Sequence, residues 1–228
     1  MGYLVTIEAP DASGKATQTK LLCERLKNDG FSVYTFSFPN YGSDAAKPAE
    51  LYLSGALGSY PADTNAYAAS TFFAVDRVFS YRTKWKKLLE QENTIVVLDR
   101  YTTSNAVHQI CKLPKEEWDG FLSWLYDFEF IKLCLPVPDI TIALDVAPET
   151  SLFLLKKRAG EDNRKADIHE ADEEYLHRCY DASLYASKKW GWCRIECCDN
   201  NKNMLSRSTI HEKVYSAVTK AMPESMRK

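Results

Sequence analysis

The chain has 228 residues, of which 45% are hydrophobic and 26% charged, and this ordinary globular composition excludes disorder of the whole chain. Its 29 lysines and arginines oppose 31 aspartates and glutamates, so the net charge of −2 does not suit a nucleic-acid partner. No segment reaches the roughly 18 apolar residues of a membrane span, so we expect no membrane partner either.

Predicted strands and helices alternate along the chain. Short apolar runs predict strands at residues 3–8, 32–38, 94–98, 139–146 and 194–198. Longer stretches with helical periodicity lie at residues 14–28, 65–90, 115–133, 148–158, 172–189 and 208–221. This alternation indicates an α/β fold, in which a parallel sheet of about five strands is covered by helices on both faces. We expect one domain over residues 1–228.

The segment 156–167 (KKRAGEDNRKAD) is almost wholly charged and polar. Two interpretations remain open for it. It is either a solvated loop or a mobile lid that brings basic side chains over a phosphate.

The seven cysteines include no C-x-x-C pair, and Cys197 and Cys198 are adjacent. This spacing suits neither a zinc site nor a disulfide framework, and the four histidines are scattered. The pattern therefore favours reduced thiols in a cytoplasmic protein.

The segment between the first predicted strand and helix has the layout of a phosphate-binding loop. It consists of Glu8, Ala9, Pro10, Asp11, Ala12, Ser13, Gly14, Lys15, Ala16, Thr17 and Gln18. Backbone N–H groups at such a helix N-terminus bind an anion, and the lysine reaches the outer phosphates.

The strict pattern G-x-x-x-x-G-K-[ST] is broken at two positions of this loop. Ala9 replaces the first glycine, which is tolerable if its backbone keeps a negative φ. Ala16 replaces the hydroxyl residue that binds magnesium, and Thr17 points about 100° away around the helix. Magnesium would then depend on water, phosphate oxygens and a carboxylate from another strand.

The third predicted strand ends at Asp99 and Arg100. Ligands of a parallel sheet lie at the carboxyl ends of its strands. Asp99 is therefore placed to hold magnesium, directly or through water, and Arg100 to bind a phosphate with its fork of donors. The alternative is a capping aspartate beside a surface arginine.

Two further pairs of residues suggest a base-binding pocket. Asn105 and Gln109 are four residues apart and carry amides that can bind a base edge. Phe73 and Arg77 have the same spacing and place an aromatic ring beside a cation. The alternative is that the phenylalanine belongs to the core and the arginine to the surface.

These motifs together resemble the thymidylate kinase family, P-loop enzymes that transfer a phosphoryl group from ATP to dTMP with Mg²⁺. The likeness covers most of the chain. It is carried by E-x-x-D-x-x-G-K-x-T-Q at 8–18, Phe38-Pro39, Phe73 with Arg77, DRYTTSNAVHQ at 99–109, and the basic segment followed by Ile168-His169-Glu170. The resemblance implies the fold of a P-loop nucleoside monophosphate kinase.

The resemblance also implies a dTMP site composed of Asp11, Phe38, Tyr41, Phe73, Arg77, Arg100, Asn105, His108 and Gln109. Phe73 would stack on thymine, Arg77 would donate to its O4, and Asn105 would face its edge. Arg100 would bind the monophosphate, while Asp11 would contact the sugar 3′-hydroxyl or the acceptor side. Family members often have an arginine at Tyr41, and some have a tyrosine at His108.

On the ATP side, the resemblance implies that Lys15 and the loop amides hold the phosphates. The loop contains no arginine, so the chain resembles the members whose catalytic arginine comes from the lid, here Arg158 or Arg164. Asp99 would hold Mg²⁺, with Glu8 as a second candidate. Family members usually form homodimers, and the apolar segment 121–135 is a candidate interface.

Two other functions stay open at this point. One is a kinase for another nucleoside monophosphate or a nucleoside, whose acceptor hydroxyl would need a carboxylate base such as Glu8. The other is a nucleotide-binding protein without catalysis, which Ala9 and Ala16 favour but Lys15, Asp99 and Arg100 oppose.

Overall fold

A computed structural model of the chain describes residues 2–162, 168–170 and 172–227, with the backbone alone over 158–162. The strands are β1 (Tyr3–Glu8), β2 (Ser32–Ser37), β3 (Thr94–Asp99), β4 (Ile140–Asp145) and β5 (Cys193–Glu196). They form a parallel sheet in the order β2-β3-β1-β4-β5. Every predicted strand is present, and the predicted α/β fold with a five-stranded parallel sheet is confirmed.

The helices follow the predicted order with two kinds of difference. They are α1 (Lys15–Asn28), α2 (Lys47–Leu53), α3 (Ala66–Ser80), α4 (Lys86–Leu89), α5 (Thr102–His108), α6 (Trp118–Tyr126), α7 (Pro148–Asp162), α8 (Glu173–Trp190) and α9 (Arg207–Ala221). The short helices α2 and α5 are not among the predicted helices. The two long predicted helices each contain a π-helical turn, Tyr81–Trp85 before α4 and Asp127–Lys132 after α6. None of the described helices combines the length and the apolar run of a membrane span.

The sheet has a separate core on each face. Successive side chains of a strand point to opposite faces, so Ile7 packs with Leu22 of α1 and Val214 of α9. On the other face, Leu4 packs with Trp85 beside α4. Helices therefore cover both faces, as predicted, and the carboxyl ends of the strands remain for the site.

The segment 121–135 is mostly core and not a free apolar surface. Phe121, Leu122 and Leu125 are at most 1% exposed and belong to the cluster that α5, α6 and α8 share. The large hydrophobic side chains that this segment exposes are Tyr126 and Ile131. The interface proposed for this segment from its composition is therefore corrected, because its apolar face packs within the protomer.

Candidate active site

The site begins where β1 and β3 lie side by side. Ile7 is paired with Asp99 in the parallel register, and the Arg100 N–H donates to the Ile7 carbonyl at 3.1 Å. The loop after β1 and the residues after β3 consequently emerge at the same edge of the sheet. Two predicted motifs that are 90 residues apart in sequence meet here.

The loop after β1 is shaped by two left-handed residues. Gly14 has φ 86° and precedes α1, and Ala12 has φ 58°, a conformation that costs a non-glycine residue about 1–2 kcal/mol. The Ser13 hydroxyl closes the turn by donating to the Pro10 carbonyl at 2.6 Å. Successive N–H groups in such turns form an anion-binding concavity.

Ala9 is compatible with this loop because its φ is not positive, as its tolerance requires. It lies behind the loop at 5% exposure, and its N–H donates to Glu8 Oε1 at 3.1 Å. Ala9 does not line the cleft that the predicted residues Pro10 to Gln18 line.

Two adjoining cavities contain most of the predicted residues. The phosphate cleft, of about 600 Å³, lies between residues 10–18, α7 and the segment that leads into α9. The acceptor cavity, of about 230 Å³, is lined by all nine residues predicted for dTMP and by Ser104, His169 and Glu170 among others. Asp11 and Lys15 line both cavities, so the cavities meet at these two side chains.

Lys15 forms an ion pair with Asp99 at this junction. Burial, together with the nearby charge of Arg100, lowers the pKa of Lys15, although Asp99 opposes the shift. The side chain of Asp99 is 16% exposed. The junction therefore holds a lysine whose charge is poorly solvated and paired with Asp99.

Arg100 connects the loop to α5. With φ 65°, it places Nη2 2.6 Å from Asp11 Oδ1 and Nη1 3.2 Å from Glu8 Oε1. Burial opposes its charge, but Asp11 and Glu8 outweigh burial and raise the pKa of Arg100. Burial raises the pKa of Asp11, but Arg100 outweighs it and lowers that pKa to about 2. Arg100 is thus a fixed cation on the wall of the acceptor cavity.

Both carboxylate oxygens of Glu8 are occupied by hydrogen bonds within the protein. Its two oxygens accept from the Ala9 N–H, Arg100, the Thr103 hydroxyl at 2.9 Å and the Ser104 hydroxyl at 2.6 Å. It is 2% exposed. Since a carboxylate offers about four acceptor positions, the structure does not favour Glu8 as a magnesium ligand or a general base, and places it as the anchor of Arg100.

Two buried histidines form a second wall of the cavity. His108 and His169 stack with ring centroids 5.3 Å apart, and His108 Nε2 lies 3.0 Å from Arg100 Nη1. Burial and the charge of Arg100 lower the pKa of His108 to about 3. The imidazole is therefore neutral and accepts from Arg100. From the sequence, His169 was part of the Ile168-His169-Glu170 motif, but no role could be assigned to it.

His169 is brought to the cavity by α2. The Tyr52 hydroxyl lies 2.8 Å from His169 Nε2 and also accepts from Lys112 at 2.7 Å. The Ile168 N–H donates to the Leu53 carbonyl at 3.2 Å. Burial lowers the pKa of His169 well below its usual value. The unpredicted helix α2 thus positions a residue that lies more than 100 positions later in the sequence.

The predicted base-binding residues line the acceptor cavity, but Arg77 and Asn105 are not isolated side chains. Arg77 is 1% exposed and forms a two-pronged ion pair with Glu129, at 2.7 Å from Nε and 2.5 Å from Nη2. Asn105 Nδ2 lies 3.1 Å from the same carboxylate. Sequence reasoning missed Glu129. Its one signal in the sequence is that an acidic residue stands between two aromatic residues, Phe128 and Phe130.

The other predicted acceptor residues differ in exposure. Phe38 and Gln109 are buried, Phe73 is partly buried and packs edge-on against Tyr52, and Tyr41 is 66% exposed. Within the described part of the chain, neither amide atom of Gln109 has a hydrogen-bond partner. A buried amide without partners is costly, and here it borders a cavity that a ligand can fill.

The predicted lid is only partly within the described residues. Lys156 pairs with Glu173 at 2.7 Å, and Lys157 lines the phosphate cleft. The side chain of Arg158, and Arg164 with the remainder of the segment up to residue 167, lie outside the described residues.

The fold and the site together define a class of protein. A phosphate-binding loop follows the first strand of a parallel sheet, and a second cavity meets it at a lysine and an aspartate. This is the arrangement of a P-loop kinase that phosphorylates a nucleotide acceptor.

Comparison with known proteins identifies the family. The thymidylate kinase family profile matches residues 7–206. A thymidylate kinase from Mycobacterium tuberculosis (strain CDC 1551 / Oshkosh) is 34% identical over 193 residues, which cover 82% of this chain and 87% of that protein. One from Thermomicrobium roseum is 28% identical over 100% of this chain and 99% of its own length.

A solved thymidylate kinase structure from Candida albicans shows the same fold, with a TM-score of 0.66 at 18% identity over 95% of this chain and 91% of that one. The chain therefore belongs to the thymidylate kinase family. It is an ATP-dependent nucleoside monophosphate kinase that phosphorylates dTMP in nucleotide biosynthesis.

Proposed function

We propose that ATP places its phosphates in the phosphate cleft and dTMP occupies the acceptor cavity, so that the phosphoryl group crosses at Lys15 and Asp11. The observation that carries this proposal is that these two residues line both cavities. In-line transfer requires donor and acceptor phosphates to meet at one point. Among the residues that the structure describes, Asp11 and Lys15 are the side chains that the two cavities share.

Catalysis in this arrangement is positioning and charge stabilisation. The second pKa of a phosphate monoester is near ~6, so dTMP is already largely dianionic at neutral pH and needs no general base. The difficulty is to bring two anions together. Lys15, whose charge is poorly solvated, and Arg100, held by Asp11 and Glu8, provide fixed positive charge on both sides of the transferring group.

Asp99 is the residue we propose to hold Mg²⁺, directly or through water. Its carboxylate is partly exposed beside Lys15, which suits a hard cation that prefers oxygen ligands and keeps several waters. Ala16 supplies no oxygen, and the described residues contain no group of three or more His, Cys, Asp or Glu for a metal. Bound Mg²⁺ would neutralise charge on the ATP phosphates, and water and phosphate oxygens would complete its ligands.

On the acceptor side, we propose that Phe73 stacks on thymine while Arg77 and Asn105 bind its hydrogen-bonding edge. Arg100 would bind the monophosphate, and the orphaned amide of Gln109 would contact the base or its sugar. His108 and Tyr41 border the sugar and phosphate in this arrangement. All of these side chains line one cavity.

The lid is proposed to bring one catalytic arginine, Arg158 or Arg164, over the transferring group, within a single kinase domain over residues 1–228. Replacing that arginine by alanine should lower kcat about 10³-fold with little change in KM for ATP, because it acts on the charge of the transition state. Steady-state kinetics of both variants measure this, with Arg178→Ala on the exposed face of α8 as the control. Equal and small effects from both arginines would contradict a lid arginine.

We also propose that the protein is a cytoplasmic homodimer. All seven cysteines, each within the described residues, are free thiols, which suits a reducing compartment. Val75 and Phe79 lie one turn apart on α3 and are 52% and 54% exposed. These apolar side chains make α3 a better candidate for the interface than the buried segment 121–135.

The test of the proposed substrate is ADP formation from ATP and Mg²⁺ with dTMP, dUMP, dCMP, UMP, thymidine or no acceptor. We expect dTMP to give the highest kcat/KM and dUMP to follow within about 10- to 200-fold, since one methyl group contributes about 1–3 kcal/mol. dCMP, UMP and thymidine should react far more slowly. Preference for thymidine would refute the proposed contact of Arg100 with the monophosphate. Preference for UMP would refute the proposed contacts with the sugar.

A further inference from the structure

Glu129 is a buried acid whose acceptor positions are all occupied. Its partners are Arg77 and Asn105, which line the acceptor cavity, and the neighbouring Thr102. Glu129 lies in the π-helical turn Asp127–Lys132 and is 0% exposed. Its oxygens accept two bonds from Arg77, one from Asn105 and one from the Thr102 hydroxyl at 2.7 Å. Glu129 therefore lies behind the acceptor cavity and touches no part of it that a ligand would reach.

A carboxylate can only accept, so Glu129 determines which amide atom of Asn105 faces it. Nδ2 of Asn105 donates to Glu129 Oε1 at 3.1 Å and to the Ser70 carbonyl at 3.2 Å, which is also only an acceptor. Both N–H groups of the amide are thus used inside the protein. The oxygen, Oδ1, is the amide atom left for a ligand.

The same carboxylate sets the orientation of Arg77. A guanidinium has five N–H donors; two donate to Glu129 and a third donates to the Tyr101 carbonyl at 3.3 Å. Two donors remain for a ligand. The wall that Arg77 and Asn105 form in the acceptor cavity therefore offers N–H donors beside an amide acceptor.

This pattern complements a pyrimidine that has an oxygen at C4 and a hydrogen on N3. A 4-amino pyrimidine has the reverse pattern, since its C4 amino group donates and its N3 accepts. We propose that Glu129 is the positioning residue that makes the enzyme select 4-oxo over 4-amino pyrimidine nucleotides, by holding Arg77 as donor and Asn105 as acceptor. This inference rests on the proposed base contacts of Arg77 and Asn105.

The test is the ratio of kcat/KM for dTMP to that for dCMP in Glu129→Gln. This change keeps the shape but replaces one acceptor oxygen by a donor, so that of the two acceptors that orient the Asn105 amide only the Ser70 carbonyl remains. We expect the ratio to fall about ten- to a hundredfold. The dTMP to dUMP ratio should stay constant, because these two substrates share the same base edge. Ratios are independent of the folded fraction, so loss of stability alone moves neither.

Two further variants separate polarity from packing. Glu129→Asp is shorter but still accepts only, and it should retain more of the dTMP to dCMP ratio than the isosteric glutamine. Thr102→Val removes one bond to Glu129 without changing the polarity of Arg77 or Asn105, and it should leave the ratio unchanged. If glutamine preserves the ratio better than aspartate, packing is the cause and the inference is overturned.

Arg77→Gln distinguishes failure of this inference from failure of the proposed function. If Arg77→Gln lowers the dTMP to dCMP ratio and Glu129→Gln does not, the base contact stands and the role of Glu129 is refuted. If neither lowers it, the base contact itself is wrong. If Glu129→Gln does not fold, the double variant Arg77→Gln/Glu129→Gln replaces it, because it leaves no unpaired buried charge. The dTMP to dCMP ratio of the double variant should fall below that of Arg77→Gln alone. An equal ratio would overturn the inference.

Discussion

Replacing Lys15 by methionine should lower kcat by about a hundredfold to a thousandfold, the effect of removing one pre-positioned donor from the reacting group. Methionine keeps the length of the side chain but removes the charge that the junction of the two cavities places beside Asp99. The KM for dTMP should change little, because we propose that Lys15 acts on the transferring phosphoryl group. The measurement is steady-state ADP formation with dTMP varied at saturating ATP.

Lys20→Met is the matched control for this experiment. Lys20 lies on the same helix, and its side chain is 76% exposed, so its replacement should leave kcat within about twofold. A Lys15→Met enzyme that keeps kcat within threefold of the unmodified protein would show that the loop does not act on the reacting phosphate.

Replacing Arg100 by lysine should lower kcat/KM for dTMP about 10²-fold although the charge is kept. Lysine cannot reproduce the fork that contacts Asp11, Glu8 and His108 together, so the acceptor monophosphate that we propose Arg100 to bind would lose its fixed position, and a misplacement of 1 Å can cost about 10²-fold. The KM for ATP should be nearly unchanged. Arg178→Lys, on the exposed face of α8, is the control, and equal losses in both variants would contradict the assignment.

Arg100→Ala should also destabilise the protein, which separates the two roles of the residue. It would leave Glu8 and Asp11 without their cation, and removing one partner of a buried pair costs about 3–5 kcal/mol. Urea unfolding would measure this loss of unfolding free energy. The lysine variant should retain most of the stability while losing activity.

The sheet was the most predictable part of the molecule. β1, β3 and β4 are apolar runs in which almost every residue is buried, so both the strands and their parallel arrangement follow from composition. The loop after β1 and the residues after β3 could be brought together because parallel strands end at the same edge. Prediction that these two segments lie side by side therefore needed only local pattern and topology.

The acceptor side was less predictable because it depends on contacts distant in sequence. Helical periodicity over residues 115–133 did not reveal the π-helical turn, and without that turn the orientation of Glu129 could not be inferred. His169 reaches the cavity through Tyr52 and Leu53 of α2, a helix that no pattern indicated. Composition likewise suggested a dimer surface where Phe121 and Leu125 form core.

The π-helical turn at Asp127–Lys132 makes the pocket sensitive to the number of residues as well as to their identity. Each residue of an α-helix advances the side chains by about 100°, and each residue of a π-helical turn by somewhat less. Deleting one residue between Tyr126 and Glu129 would keep every side chain of the pocket, yet it would rotate Glu129 away from Arg77 or displace α6 along its axis. A deletion of one residue in this turn would therefore disturb the pocket more than several substitutions elsewhere in the helix. In related sequences, the number of residues in this turn should vary less than their identity.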